Sequence, residues 1–412
     1  MSVLEIARFE TNEVVDGSET RWSAGSLQVS PNALAQGATE AALAGITITV
    51  VRPGDSVRVT NVLDAIVPIV KVDDPAATFP GALGRLATAG RGRSNRLENT
   101  RVLVACDWEQ AGHVSADEFP PSFVDMAGPG ADRTPLASMT NIVVECVPDA
   151  DVGTREADRA VRRAGLRVAK ELAATTVGAE PDRVDVRTPP AGASDLPAVC
   201  AVLQIASEGP LLDTYLYGAP TEGLVPTLID PLEVLDGALT NGAYDWPGVR
   251  NTTAAYQVSP LLDELIAGDG NRFRFAGLIL ALGYLDTAED KQRSAMESAA
   301  LARLVGADAA VCTTFSSGNS HTDTMLTVRA LERLGIRTCA ILAETNGGLT
   351  DHVPEADCLV SVGNEDELLE PWTPDRVIGG ERHAMVGQSV ALRSYLGSTG
   401  ETGDFDLRAV PA

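Results

Sequence analysis

The 412-residue sequence predicts an α/β protein, with an N-terminal β-rich α+β region followed by a parallel-sheet domain of Rossmann-like or flavodoxin-like form. Three observations carry that expectation. Up to about residue 80, β-branched residues alternate with turn signals, as in LAGITITVVRPGDSVRVTNVL. From residue 271 onward, apolar strand-like runs alternate with helix-length segments. Between them, residues 226–270 are irregular enough to be a connection, so the expected division is 1–225, 226–270 and 271–412.

Taken in order, the alternation before residue 80 predicts antiparallel strands, and residues 83–135, rich in Gly, Pro and Arg, predict loops. Strands are expected over 140–147 and 198–205, with a helix over 154–176 whose Ala, Val and Leu recur every three or four residues. The parallel sheet then begins with FRFAGLILAL, followed by a helix over 288–304 and the strand ADAAVCTTF. A helix over 323–334, the strand IRTCAILAE, the loop TNGGLTD and a strand over 358–362 complete at least four strands with helical crossovers.

Composition narrows the function class. A formal net charge of -25 argues against nucleic acid or an anionic membrane surface as partner, although a solubilising acidic surface accounts for it equally. No run is long and apolar enough to span a bilayer, and the N-terminus lacks a basic segment before an apolar core, which predicts a cytoplasmic protein. The six cysteines are scattered singly, without a C-x-x-C pair, and read as buried small hydrophobes in a reducing compartment. With four histidines in the chain, no metal site is expected.

In an open parallel sheet, ligands bind beyond the carboxyl ends of the strands, where helix N-termini favour anions. Two loops meet that requirement, 316–323 (SSGNSHTD) and 344–351 (ETNGGLTD). Asn319, Ser320 and His321 would then share a crevice with Asn346 and Gly347. Ordinary turns, with Thr322 or Asp323 as an N-cap, remain the alternative. His321 is a candidate general acid or base because its titration range suits proton transfer, but a structural histidine remains open. Arg91, Arg93 and Arg96 stand out against the acidic background and could hold a carboxylate, or simply occupy a solvated loop. Asp213, Tyr215 and Tyr217 in LLDTYLYG could line a substrate site or a subunit interface. The run 127–132 (AGPGAD) lacks the strand-to-helix context of a nucleotide loop and predicts a tight turn positioning Asp125 and Arg133.

Several blocks, in a common order, carry a resemblance to a known family. They are VRPGDSVRV (51–59), DPAATFPG (74–81), GRGRSNRL (90–97), DMAGPGADRTPLASMTNIVVEC (125–146), EGPLLDTYLYG (208–218), DKQRS (290–294), SGNSHTD (317–323) and EADCLVSVGN (355–364). The stretch 228–256, LIDPLEVLDGALTNGAYDWPGVRNTTAAY, matches a self-processing segment. The chain thus resembles the glycine/sarcosine/betaine reductase component B alpha/beta subunit family, which is related to the D-proline reductase proprotein. In that family a cysteine in this segment marks the break that leaves a pyruvoyl group. Counted without gaps from Asp236 through Gly242 to Arg250 and Asn251, the family cysteine falls on Tyr244, after Ala243, and a second falls on Gly248.

Pyruvoyl formation requires a thiol or hydroxyl on Cβ that attacks the preceding carbonyl and then leaves by elimination. A tyrosine phenol sits on a rigid ring and cannot reach. An uncleaved chain is therefore expected, with no pyruvoyl and no other cofactor.

The resemblance implies a reductase-like oxidoreductase acting on C–N bonds, in which this chain belongs to a hetero-oligomer with a cysteine- or selenocysteine-containing partner subunit. The expected function is to shape a pocket, with Tyr244 or His321 at its chemistry, for C–N or C–S bond cleavage or formation on a small amine or thiol. A non-catalytic scaffold of such a complex is the second expectation. An independent enzyme built on the loops around His321 and Asn346 is the third.

Overall fold

The computed structural model describes residues 3–108, 121–188, 195–207, 213–240, 247–314, 318–345, 356–381, 383–400 and 408–410. The chain is a mixed α/β protein. In its first half, one four-stranded sheet has the order Leu43–Val51, Thr140–Pro148, Thr100–Ala105, Val62–Ile66, and a second has Arg183–Arg187, Leu4–Glu10, Gly92–Glu98, Ile69–Lys71.

These sheets are mixed rather than purely antiparallel as expected. Thr100–Ala105 runs parallel to Thr140–Pro148, and Leu4–Glu10 runs parallel to Gly92–Glu98. The partners of each parallel pair lie far apart in sequence, which local turn signals cannot report. Residues 83–135, expected as loop, contain the strands Gly92–Glu98, Thr100–Ala105 and Phe123–Asp125.

The helix Thr154–Ala174 packs Val161, Ala164, Val168 and Leu172 into the first-half core with Ile66, Val104 and Val144. Gly165 is required for that approach. A Cβ there would stand 2.3 Å from Cγ2 of Val104.

The second half is built on a seven-stranded sheet with the order Thr227–Ile229, Arg274–Gly283, Ala198–Ala206, Ala309–Thr313, Arg337–Glu344, Cys358–Asn364, Arg408–Val410. The five inner strands are mutually parallel, and the two edge strands are antiparallel to their neighbours. Their near-continuous apolar sequence, LILALG in Arg274–Gly283 for example, suits burial on both faces.

Helices Ala288–Leu304 and Asn319–Arg333 cover one face, packing Ala299, Ala302, Met325 and Val328 against Cys200, Cys312 and Ala340. Pro231–Leu235 and Pro260–Gly268 cover the other, through Leu232, Leu262 and Leu265 against Leu203, Phe275 and Leu278. Strand Ala198–Ala206 precedes residue 225, yet lies in the middle of this sheet. From it the chain moves to one side to make Arg274–Gly283, then returns across it to Ala309–Thr313. The connections therefore diverge between Ala198–Ala206 and Ala309–Thr313, the place beyond whose carboxyl ends open parallel sheets bind their ligands. No helix among the described residues is long and apolar enough to cross a membrane.

Candidate functional site

Gln204 bridges the diverging strands. Its backbone N–H donates to Oγ1 of Thr313 at 3.3 Å and its side-chain amide to the carbonyl of Ser320 at 3.0 Å, so it ties Ala198–Ala206 to Ala309–Thr313 and to the first turn of the next helix. That helix, Asn319–Arg333, begins four residues earlier than the expected 323, following Gly318 at φ 67°. Asn319, Ser320 and His321 are therefore first-turn residues rather than loop residues, and neither Thr322 nor Asp323 is the N-cap. Asn319 is exposed, whereas Ser320 and His321 are buried. Two residues on, Asp323 is ion-paired with Lys291 at 2.8 Å and accepts the backbone N–H of Leu285, just after strand Arg274–Gly283. Burial raises the Asp323 carboxyl, and Lys291 works against that rise.

From the end of Ala198–Ala206 a second set of polar side chains leads away into the first half. Ser207 donates to Asp213 at 2.8 Å, and Arg155 stands 3.6 Å from the other oxygen of that fully buried carboxylate. Tyr215 donates to Asp158 at 3.1 Å. Asp158 in turn holds Arg162 at 2.8 Å, one helical turn along Thr154–Ala174, and the guanidinium lies 4.6 Å from the centre of the Tyr215 ring. Burial first, and then the Asp158 carboxylate, push the Tyr215 phenol up to about 12, so it is a donor at neutral pH.

The positive field of Arg162 reaches Asp64, a carboxylate inside the apolar strand Val62–Ile66. Asp64 accepts both the backbone N–H and the hydroxyl of Thr253, at 2.8 and 2.6 Å. Burial nonetheless pushes it up to about 6, with the two Thr253 contacts opposing.

This network frames the segment that matched the family's processing site. Tyr215–Leu216 pairs antiparallel with Leu239–Thr240, immediately before residue 241. On the far side, Pro247–Val249 forms a single 3-10 turn whose Gly248 accepts the backbone N–H of Thr399 at 2.8 Å. A Cβ at Gly248 would stand 2.7 Å from Cα of Arg393, so this second matched position has no room for a thiol side chain without a backbone shift. Asn251 follows, fully buried, with neither side-chain amide atom hydrogen-bonded among the described residues. The preceding Asp-Gly-Ala turn is pinned by Asp236, which takes Lys71 Nζ at 2.5 Å, Ser94 Oγ at 2.6 Å and the Gly90 N–H at 2.7 Å. Gly242, Ala243 and Tyr244, like Asn346 and Gly347, lie outside the described residues.

Of the remaining candidates, Asp213 and Tyr215 belong to the network, while Arg91 and Arg93 lie elsewhere. Those two line an open groove of about 670 Å³ with Lys71, Asp73 and Arg85, beside the sheet that carries Gly92–Glu98. Arg93 is paired with Glu5 at 2.8 Å and Arg96 is buried against Glu98. Gly130 in the 127–132 turn lies close to Asp125, a Cβ there standing 2.6 Å from its Oδ2, and the carboxylate itself is held by Arg58 at 2.7 and 2.8 Å. Among the described residues no group of three or more His, Cys, Asp or Glu could hold a metal.

Sequence reasoning passed over Asp64, Asp158, Arg162, Thr253 and the Lys291–Asp323 pair. Usable signals existed. Asp64 interrupts an apolar strand-like run, and Asp158 and Arg162 are spaced four apart on the expected helix.

The family described as glycine/sarcosine/betaine reductase component B subunits matches residues 1–398. Similar relatives include a protein described as glycine reductase complex component B subunits alpha and beta from Acetoanaerobium sticklandii, 31% identical over 91% of this chain and 88% of the relative. A sarcosine reductase complex component B subunit alpha from Peptoclostridium acidaminophilum is 30% identical over 98% and 94%, and a betaine reductase complex component B subunit alpha from the same organism is 31% identical over 93% and 89%. No solved structure matches the chain. With a family match over nearly its whole length and relatives of about 30% identity end to end, the chain belongs to the glycine/sarcosine/betaine reductase component B subunits.

Proposed function

We propose that this chain is the pocket-forming subunit of a reductase-like complex that makes or breaks C–N or C–S bonds, working without a pyruvoyl group and with a cysteine- or selenocysteine-bearing partner subunit in a cytoplasmic hetero-oligomer. The observation that carries this is the buried polar network running from Ser207 and Asp213 through Tyr215, Asp158 and Arg162 to Asp64 and Thr253. It brackets the matched processing segment on both sides. The segment itself contains no cysteine, serine or threonine from 241 to 251.

A pyruvoyl group does not fit these residues. Tyr244 has no hydroxyl on Cβ, and the wall at Arg393 closes Gly248 to a thiol. What the site offers instead is recognition and electrostatics. Tyr215 is a neutral donor, Asp213 and Asp64 are buried carboxylates that favour a cationic amine, and Ser320 and His321 lie buried in the first turn of the helix that follows Ala309–Thr313. A buried carboxylate lowers the free energy of an ammonium group taken out of water, while the partner's thiolate would supply the nucleophile. The sheet order, read along the chain as 2-1-3-4-5 for its five parallel strands, supports a flavodoxin-like arrangement with the ligand at the divergence.

The intact mass of the denatured chain, with and without a carbonyl-reactive hydrazine, tests the first half of this proposal. One uncut species near 43.1 kDa, unchanged by hydrazine, is expected. Two fragments meeting near residue 244, one of them hydrazine-reactive, would overturn it. Thermal melting with small amines and thiols tests the second half. Saturable stabilisation is expected, lost on Asp213→Asn, whereas a scaffold would show none.

A further inference from the structure

Four of the six cysteines are buried within the structure, but Cys339 and Cys358 are half-exposed. Nineteen residues apart in sequence, they are direct partners in the parallel ladder between Arg337–Glu344 and Cys358–Asn364. Residues on one face of a strand recur every second position. Ile341, Ala343, Val360 and Val362 cluster on the same side of the sheet, which is the side facing away from helices Ala288–Leu304 and Asn319–Arg333. Both thiols therefore emerge side by side on the less covered face.

Their register is held from two directions. On the carboxyl side the ladder continues through Ala340 with Leu359, Ile341 with Val360 and Leu342 with Ser361. On the other side Arg337 pairs with Asp357 at 2.9 Å, directly before the two cysteines. Neighbouring strands lie about 4.7–4.9 Å apart, inside the roughly 4.4–6.8 Å range of Cα separations that a disulfide spans. The usual Cβ separation in a disulfide, about 3.8 Å, is shorter than the strand spacing, so closing the bond draws the strands together slightly. A bond formed under that constraint is a labile one rather than a permanent staple.

We propose that Cys339 and Cys358 are a cross-strand dithiol that exchanges two electrons with a small soluble disulfide. One of the two thiolates attacks a sulfur of the disulfide, forms a mixed disulfide and expels the first thiolate. The other cysteine then gives up its proton and attacks Sγ of the first, closing the cross-strand bond and expelling the second thiolate. The two cysteine protons end on the two released thiols, and the pair is oxidised by two electrons as the small disulfide is reduced by two. The pair is independent of the proposed amine or thiol pocket.

The test uses the full chain in glutathione buffers of graded poise, quenched with acid, unfolded, alkylated and digested with trypsin. No lysine or arginine lies between Arg337 and Arg376, so one peptide, 338–376, carries both cysteines. Expected is a reversible loss of two hydrogens from that peptide, while Cys106, Cys146, Cys200 and Cys312 alkylate fully. Cys339→Ser and Cys358→Ser should each stop at a glutathione adduct on the remaining cysteine, with no loss of two hydrogens. Melting of each variant under reducing conditions checks that it is folded. Independent adducts on both cysteines of the parent chain, or two free thiols at every poise, would overturn the dithiol.

Discussion

Two buried ionic clusters, each containing residues from sequence blocks that resemble the same family, differ in what surrounds them along the chain. In the first, Arg58 grips Asp125 through two parallel hydrogen bonds of 2.7 and 2.8 Å, donates to the Tyr395 hydroxyl at 3.0 Å and to the Ala384 carbonyl at 2.7 Å. The guanidinium also lies 4.5 Å from the centre of the Phe123 ring, with Trp372 and Tyr395 completing an aromatic box. Gly128 and Gly130 let Trp372 and Tyr395 close on it; a Cβ at either would stand within 2.7 Å of a ring carbon. The second cluster, from Asp213 and Tyr215 to Asp64 and Thr253, draws on residues from both sides of the matched segment in sequence, and Asn251, two residues before Thr253, is buried with neither amide atom hydrogen-bonded among the described residues. A charge pair boxed by aromatic rings secures the fold. A buried charge network that flanks the matched segment is the candidate for a ligand.

The largest expected effect breaks the sealed cluster. Arg58→Met leaves the Asp125 carboxylate buried without its partner, and urea unfolding should show a loss of about 3–5 kcal/mol. Adding Asp125→Leu should restore much of it, because the stranded charge is then gone. A single-variant loss under about 1 kcal/mol would mean that water reaches the site and that the two clusters do not differ in this way.

Next in size is a pH effect at the second cluster. The folded Asp64 carboxyl lies near 6, above its unfolded value near 4, so the folded state binds the extra proton. Stability from this group is fully present below about pH 4 and is lost as pH rises through about 6. Asp64→Asn should remove that loss. Its stability relative to the parent chain should rise by roughly 3 kcal/mol between pH 4 and 7, over a constant offset from the altered Thr253 contacts. A difference that stays flat with pH would show that Asp64 is charged throughout and well solvated.

How much of this was legible in the sequence differs between the clusters. Helix Ala288–Leu304 and strand Ala198–Ala206 were readable because their apolar periods are local. The central place of Ala198–Ala206 in the parallel sheet was not, since it depends on pairing with strands more than seventy residues away in one direction and a hundred in the other. Asp213 and Tyr215 were found through a distinctive block. Asp158 was not, because an aspartate four residues before an arginine reads as a solvated helix pair until tertiary packing buries it. The cysteines show the limit most directly. Singly spaced thiols carry no sign of pairing, and only the ladder register brings Cys339 and Cys358 together.

The smallest effects give the sharpest contrast, because they compare the same atom in both clusters. Tyr395→Phe and Tyr215→Phe each remove one buried hydroxyl, which bonds Arg58 in the first case and Asp158 in the second. Each should cost on the order of 1–2 kcal/mol in unfolding experiments, since a hydrogen bond to a charged group is lost while the ring stays packed. Their effects on ligand-induced stabilisation should diverge. In the sealed box nothing but stability depends on the hydroxyl, so Tyr395→Phe should leave the shift produced by a saturating amine or thiol unchanged. Tyr215→Phe withdraws a donor held neutral beside Asp213 and reorients Asp158 and Arg162, so the same ligand should lose at least several-fold in affinity. Equal ligand responses from the two variants would mean that the second cluster, like the first, serves the fold alone.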